Sequence, residues 1–393
     1  MMVTWGSIVN DPSSRRSCLC GLFPAVVLLC TVIFLGTTFF DTDYKQTILR
    51  FGNSGPGNSP VACQTRCRSS GSEQLPKGIV SRSSDLEMRP LWDSSSISNQ
   101  TITAPKPLMK SLLAIAVGIK QKETVDQIVK KFLSDDFTIM LFHYDGVLDE
   151  WRDLHWTDNI IHVSALNQTK WWFAKRFLHP DIVSDYRYIF LWDEDLDVQH
   201  LDPQRYIKIV EEEGLEISQP ALDLSKSEVH HRITVRGRRT RVHRRMYKLT
   251  GGGRCYENST SPPCTGWVEM MAPVFSKAAW RCAWHMIQND LIHAWGLDMK
   301  LGYCSQGDRT KNVGVVDAEY IIHKGIPTLG GLTKNSDEGT KHGLPLRKLI
   351  NGRSRVRIQS SVEQIIFERR WKTAVKKDAS WTDPFPVTKN GTS

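Results

Sequence analysis

The sequence predicts an α/β domain built on a largely parallel sheet, set behind a single membrane-spanning segment. Three observations predict it. Short apolar runs alternate with amphipathic helical patterns from Ser111 onward, as successive strand–helix units require. One of those runs ends abruptly in three carboxylates, Asp193, Glu194 and Asp195, and open α/β sheets collect their ligands outside the carboxyl ends of the strands. Ahead of the domain lies one uncharged apolar run, LFPAVVLLCTVIFLGTTFF, over residues 22–40.

At about 1.5 Å per residue that run just crosses a hydrocarbon core, and it lacks the small-residue cleavage site of a secretory signal, so it reads as an uncleaved signal anchor. The order along the chain is then a cytoplasmic tail (1–21), the anchor (22–40), a flexible stem rich in Ser, Gly, Pro and Asn (41–104), the α/β domain (105–345), and a C-terminal helix and tail (346–393). Among 393 residues, 51 Lys and Arg against 42 Asp and Glu give a net charge of +9, with 40% hydrophobic residues. This excludes an acidic, solvating disordered chain and leaves nucleic acid and acidic polysaccharide open as partners. Sequons begin at Asn99, Asn167, Asn258 and Asn390, all beyond the anchor, and Cys255 and Cys264 bracket a short loop suited to a disulfide. Both point to an oxidising lumen. Buried thiols are the alternative for the remaining cysteines, Cys282 and Cys304 above all.

The elements follow in order. SLLAIAVGI (111–119) is a buried strand, and the helix after it repeats Val125, Ile128, Val129 and Phe132 at helical spacing. FTIMLFHYDG (137–146) and IIHVSAL (160–166) are strands, TKWWFAKRFL (169–178) a helix, and YRYIFLWDED (186–195) the fourth strand. A helix covers 202–214, and EISQPALD reads as an edge segment because Pro220 cannot donate to a ladder. The basic run 230–245 reads as a solvated, mobile loop. GWVEMMAPVF (266–275) resumes as a strand, a helix capped by Ser276 follows to Asp290, and VGVVDAEYIIHKG (313–325) is the last strand. Beyond it, Ile365, Ile366 and Phe367 mark a helix with an apolar face.

Alternate residues at a strand's end point the same way, so Asp193 and Asp195 can converge on one hard cation whose charge offsets their repulsion. A solvated turn with capping aspartates is the competing reading. An EF-hand is excluded, because the sixth position from Asp193 is Val198 and the twelfth Gln204. Dinucleotide, P-loop, zincin and nucleophile-elbow motifs are absent, which removes the usual NAD, NTPase, metalloprotease and α/β-hydrolase readings. A second cluster, Glu269, Asn289, Asp290, Asp298 and His323, lies at element ends. Its carboxylates are candidate general bases and its imidazole a candidate metal ligand.

Taken with their order, these segments resemble a known class. A strand ending in DxD, a glycine-bearing strand, an acidic segment and a late His resemble GT-A nucleotide-sugar glycosyltransferases. ISQPALD, FLWDEDLDV, GWVEMMAPVFSKAAWRCAWHMIQNDLIHAWGLDMKLGYC and GDRTKNVGVVDAEYIIHKGIPTLGG resemble a plant family of membrane-anchored proteins carrying the DUF707 domain, often labelled lysine-ketoglutarate reductase trans-splicing related. The resemblance implies a GT-A-like lumenal fold, with Asp193, Asp195 and His323 holding Mn²⁺ or Mg²⁺ on a nucleotide-sugar donor. It further implies that Trp192, Gly266, Trp267 and Glu269 line the donor and acceptor, and that Asp290 or Asp298 acts as base, although the xED triplet here reads Gln288-Asn289-Asp290. The place implied is a Golgi or early secretory membrane, with a glycan acceptor. A non-catalytic, glycan-binding or scaffold protein on the same fold is the alternative, and RNA binding through Arg232, Arg236, Arg238, Arg239, Arg241, Arg244 and Arg245 is a third reading that a lumenal domain would preclude.

Overall fold

The computed structural model describes residues 71–80, 109–251, 253–326 and 352–385, all within the unit Cys67–Ser393. β1 (Ser111–Val117) is buried along its length, with Leu112, Ala114 and Ala116 in one core and Leu113, Ile115 and Val117 in the other. Burial on both faces is what an unbroken apolar strand requires. α1 (Lys122–Phe132) lays Val125, Ile128, Val129 and Phe132 on the second core. β2 (Phe137–His143) pairs in parallel with β1, and β3 (Ile161–Ser164) in parallel with β2. The chain then returns through α2 (Lys170–Phe177) to β4 (Tyr188–Trp192), which pairs in parallel with the other side of β1. Sheet growth therefore reverses direction between β1 and β4, the point at which such sheets bind ligands.

Beyond β4 come β5 (Leu196–Asp197), α3 (Pro203–Glu212), β6 (Ile217–Leu222), β7 (Val242–His243), β8 (Val274–Ser276), α4 (Lys277–Met286), α5 (Asp298–Leu301), α6 (Arg309–Asn312), β9 (Val313–His323) and α7 (Gly352–Lys377). Across the sheet the order is β3-β2-β1-β4-β8-β6-β9-β5, with β7 joined to β9. The sheet is mixed, since β8 runs antiparallel to both β4 and β6 while β6 and β9 are parallel. Asp202 caps α3 by accepting from the Gln204 and Arg205 backbone N–H groups, and Ser276 caps α4 through Ala279.

Several expectations are corrected here. The segment around Pro220 is a fully buried inner strand, β6, and no edge: its register with β9 shifts between Pro220 and Ala221, so the missing N–H falls where the ladder is already interrupted. The helix expected to reach Asp290 ends at Met286, where Ile287 turns extended. Residues 71–80, placed in the stem, pack on the domain: Leu75 and Ile79 are buried beside Phe367, Trp371 and Ala374 of α7, and the Lys77 N–H donates to Asp378 at 2.9 Å. Cys282 and Cys304 are no pair of free thiols. They form a disulfide between α4 and the turn Gly302–Cys304, and Cys255–Cys264 is closed as expected. Among the described residues no helix is long and apolar enough to cross a membrane, and the expected anchor 22–40 lies outside them, as do Asn99 and Asn390. Asn167 and Asn258 are exposed.

Candidate functional site

The apolar run of β4 stops at Trp192, and the carboxylates that follow sit at the reversal point of the sheet. The two residues of β5 then pair antiparallel with the end of β9, Leu196 opposite His323. That pairing carries His323 to Asp195, with Nε2 3.4 Å from Oδ2. Asp195 is buried, and its Oδ2 also accepts the Ile326 N–H at 3.0 Å. The His323 Nδ1–H donates to the Glu228 carbonyl at 2.9 Å, which fixes the ring and turns Nε2 inward. Burial alone would depress the imidazole, but the hydrogen bond and charge of Asp195 outweigh it and hold its pKa up at about 9.

Asp193 points to a different partner. Its carboxylate lies 2.7 Å from the Nζ of Lys170, a buried lysine at the start of α2 that also donates to the carbonyls of Met270 and Met271. Glu194 is buried and accepts the Tyr144 hydroxyl at 2.8 Å; burial, reinforced by Asp193 and Asp195, pushes its pKa to about 8, so it is largely protonated at neutral pH. Glu269 is anchored by its own N–H to Oε1 of the buried Gln219, at 2.5 Å. Its Oε2 is buried and has no partner among the described residues. Burial pushes Glu269 to about 7, with the positive His323 opposing and Asp193 and Asp298 adding to the rise. Asp298, at the start of α5, is also raised by burial.

Five carboxylates (Asp193, Glu194, Asp195, Glu269 and Asp298) therefore share one region with two basic groups, Lys170 and His323. Such crowding is relieved either by protonation, as at Glu194, or by added positive charge. The donor types fit a hard divalent ion, and an imidazole whose other N–H is held by a backbone carbonyl is the usual outer arrangement of a metal ligand. Their placement is partly closed, however. Among the described residues no three carboxylate, imidazole or thiol groups stand ready to share one ion, because Lys170 holds Asp193 and His323 leans on Asp195.

A family model described as "Protein of unknown function (DUF707)" matches residues 66–377. The chain belongs to the DUF707 family. Among solved structures it is similar to S. aureus TarS 1-349, at 8% identity and a TM-score of 0.35 over 54% of this chain and 59% of that one. It is similar also to the glycosyltransferase GlyE of Streptococcus pneumoniae, at 10% identity and 0.31 over 72% and 67%, and to mannose-1-phosphate geranyltransferase from Thermus thermophilus, at 12% and 0.27 over 53% and 73%. This DUF707 chain thus spans less than two thirds of TarS 1-349. No curated protein matches it by sequence.

Other expected site residues fall elsewhere in the DUF707 domain. Asp290 is drawn away, held bidentately by Arg370 of α7 at 2.7 and 2.6 Å, so it is a surface ion pair and no part of the acidic cluster. Trp192 has no accessible surface and packs edge-on against Phe132 in the second core, which leaves no face for a sugar. Trp267 is buried too, with its ring against His231 and its indole towards Asp298. Gly266 has φ +65°, and a Cβ there would stand 2.8 Å from Arg309 side-chain carbons, so its smallness admits the Arg309 stem.

Nor is the basic run a mobile loop. It is strapped along β9 by the buried Asp317, whose carboxylate accepts from the Gly237 N–H and the Thr240 hydroxyl, each at 2.6 Å, and from His243 at 2.9 Å. Arg236 lies 3.7 Å over the Tyr320 ring, Arg241 and Arg244 pair with Glu212 and Glu213, and Arg245 donates to the Tyr256 carbonyl. Sequence reasoning misses Lys170, Gln219 and Asp317. A lysine in the first turn of a helix and a carboxylate inside an apolar strand are the available signals.

Proposed function

We propose that this protein transfers a sugar from a nucleotide-sugar donor to a glycan or other hydroxyl acceptor. One observation carries the reading: Asp193 and Asp195 follow β4 at the reversal point of the sheet, His323 from the end of β9 lies against Asp195, and Glu269 is near enough to feel the charges of Asp193 and His323. Asp193, Asp195 and His323 would hold Mn²⁺ or Mg²⁺, which when bound supplies positive charge to the diphosphate leaving group. Glu269 suits the acceptor side. Its unpartnered Oε2 can accept a hydroxyl proton, and a pKa near neutrality matches that task. Burial keeps that pKa up, with Asp193 and Asp298 adding to it.

The same proposal includes a type II membrane protein of the Golgi or early secretory membrane, anchored by residues 22–40. Two disulfides and two exposed sequons, Asn167 and Asn258, support a lumenal domain. A thermal-shift screen against UDP- and GDP-sugars, with and without Mn²⁺, tests the reading: a ligand that binds only the native state raises the melting temperature. A shift that needs nucleotide and metal together is expected; a folded sample that responds to no donor refutes it.

A further inference from the structure

Lys170 is an unusual residue for its position. It occupies the first turn of α2, where the helix dipole disfavours a cation, and it is 9% exposed. An ammonium has three N–H donors, and here all three are used: by the Met270 carbonyl, by the Met271 carbonyl at 3.2 Å, and by Asp193 at 2.7 Å. Two of the acceptors belong to the backbone of one loop and cannot leave. Asp193 is the only one of the three whose charge has another claimant, because it shares the cluster with Asp195 and His323.

We propose that Lys170 is a resident counter-ion of this acidic cluster: it yields Asp193 to an incoming divalent cation and then turns its freed N–H towards an anionic oxygen of the donor diphosphate. This rests on the donor-site reading above. The two carbonyls keep the ammonium in place through the exchange, so it need not withdraw from the cluster, and only the direction of one N–H changes. Without an ion, Lys170 offsets the repulsion among the carboxylates. With one, it becomes a cation next to a cation, a position made favourable only by the negative charge of a diphosphate. Divalent cation and nucleoside diphosphate are therefore coupled, each binding weakly alone and tightly together.

The test uses the full-length chain and two variants, Lys170→Met and Lys170→Arg, with Mn²⁺ binding read from the electron paramagnetic resonance signal of the free ion. With no nucleotide present, Lys170→Met is expected to bind Mn²⁺ at least about tenfold more tightly than wild type, through relief of one like-charge contact in a partly buried site. Lys170→Arg, which keeps the charge, should show no such gain. At saturating Mn²⁺, Lys170→Met should bind UDP or GDP about tenfold more weakly, through loss of one charge-assisted hydrogen bond. Mn²⁺ affinity in Lys170→Met equal to or below that of wild type overturns the proposal.

Should Lys170→Met fail to fold, acylation of lysines in the wild-type protein decides the matter. Labelling of Lys170 rises with Mn²⁺ and falls again when the nucleotide is added; a pattern indifferent to both overturns the proposal. If wild type and variants all bind neither Mn²⁺ nor nucleotide, the donor-site reading falls with it. Tight binding of both that is unaffected by Lys170→Met sinks the lysine inference alone.

Discussion

Replacing Asp317 with Ala should release the whole basic strap. The carboxylate is buried, and three donors converge on it: the Gly237 N–H, the Thr240 hydroxyl and the His243 Nδ1–H. Removing the acceptor leaves the N–H and imidazole donors in a partly buried pocket, and breaking a buried, hydrogen-bonded charge typically costs about 3–5 kcal/mol. That is a large part of a normal folding free energy, and for a domain of this size it lowers the melting temperature by roughly 6–15 °C. Its local consequence is more specific. Arg238, Arg239 and Arg241 are exposed but pinned, and once residues 236–243 come free of β9 they become trypsin sites at temperatures where the rest of the domain is folded. Differential scanning calorimetry with timed trypsin digestion and mass spectrometry reads both effects. Asp317→Asn, which keeps an acceptor oxygen and loses the charge, should fall between. A melting temperature unchanged in Asp317→Ala, with no new cleavage at 236–243, would refute this reasoning.

The same strap carries a pH dependence. Burial works against the charged form of His243, but Asp317 outweighs it and holds the imidazole above its ordinary value, so its contribution is full below the unfolded pKa near 6.5 and is lost as pH rises through the folded one. The stability gap between wild type and His243→Gln should be full below about pH 6.5 and shrink as pH rises above it in chemical denaturation; a constant gap contradicts it. Glu269→Gln should retain donor binding and lose transfer, and the wild-type rate should climb as pH rises through about 7, because the base must be deprotonated. Full transfer by that variant would move the base elsewhere. Cys282→Ser with Cys304→Ser should cost about 3 kcal/mol, the chain-entropy value for a loop of this length, read as a lower denaturation midpoint in oxidising buffer only.

Much of the site is legible in the sequence because its residues sit where a local pattern breaks. Asp193 and Asp195 interrupt an apolar strand, and His323 ends another. What brings His323 to Asp195 is not legible there: a two-residue strand, β5, that has no periodicity to detect and exists through its pairing with β9. Asp290 is misplaced for a similar reason, since the residue that claims it, Arg370, is 80 positions away. Trp192 and Trp267 have the side chains of sugar platforms, and only the core decides that their faces are covered by other rings. Pro220 misleads in the opposite sense, as a strand breaker tolerated at a register shift. Asp317 and Glu319 are visible as acids two apart in an apolar strand, but they fall where the register of β9 with β6 shifts, so simple alternation does not tell what they face: Asp317 holds the basic strap, whereas Glu319 accepts from the Asp202 N–H and from Arg205.

Isothermal titration of a nucleoside diphosphate into the protein, with and without Mn²⁺, for wild type, Asp193→Asn and Asp195→Asn, tests the central claim most directly. The site at the end of β4 predicts binding by wild type only with the metal present, lost in both variants; each variant stays folded but melts somewhat below wild type, because Asn keeps an acceptor oxygen and leaves the Lys170 ammonium or the His323 imidazole without its opposite charge. Metal-dependent binding that survives in both variants, or a folded wild-type protein that binds no nucleotide under any condition, would contradict it.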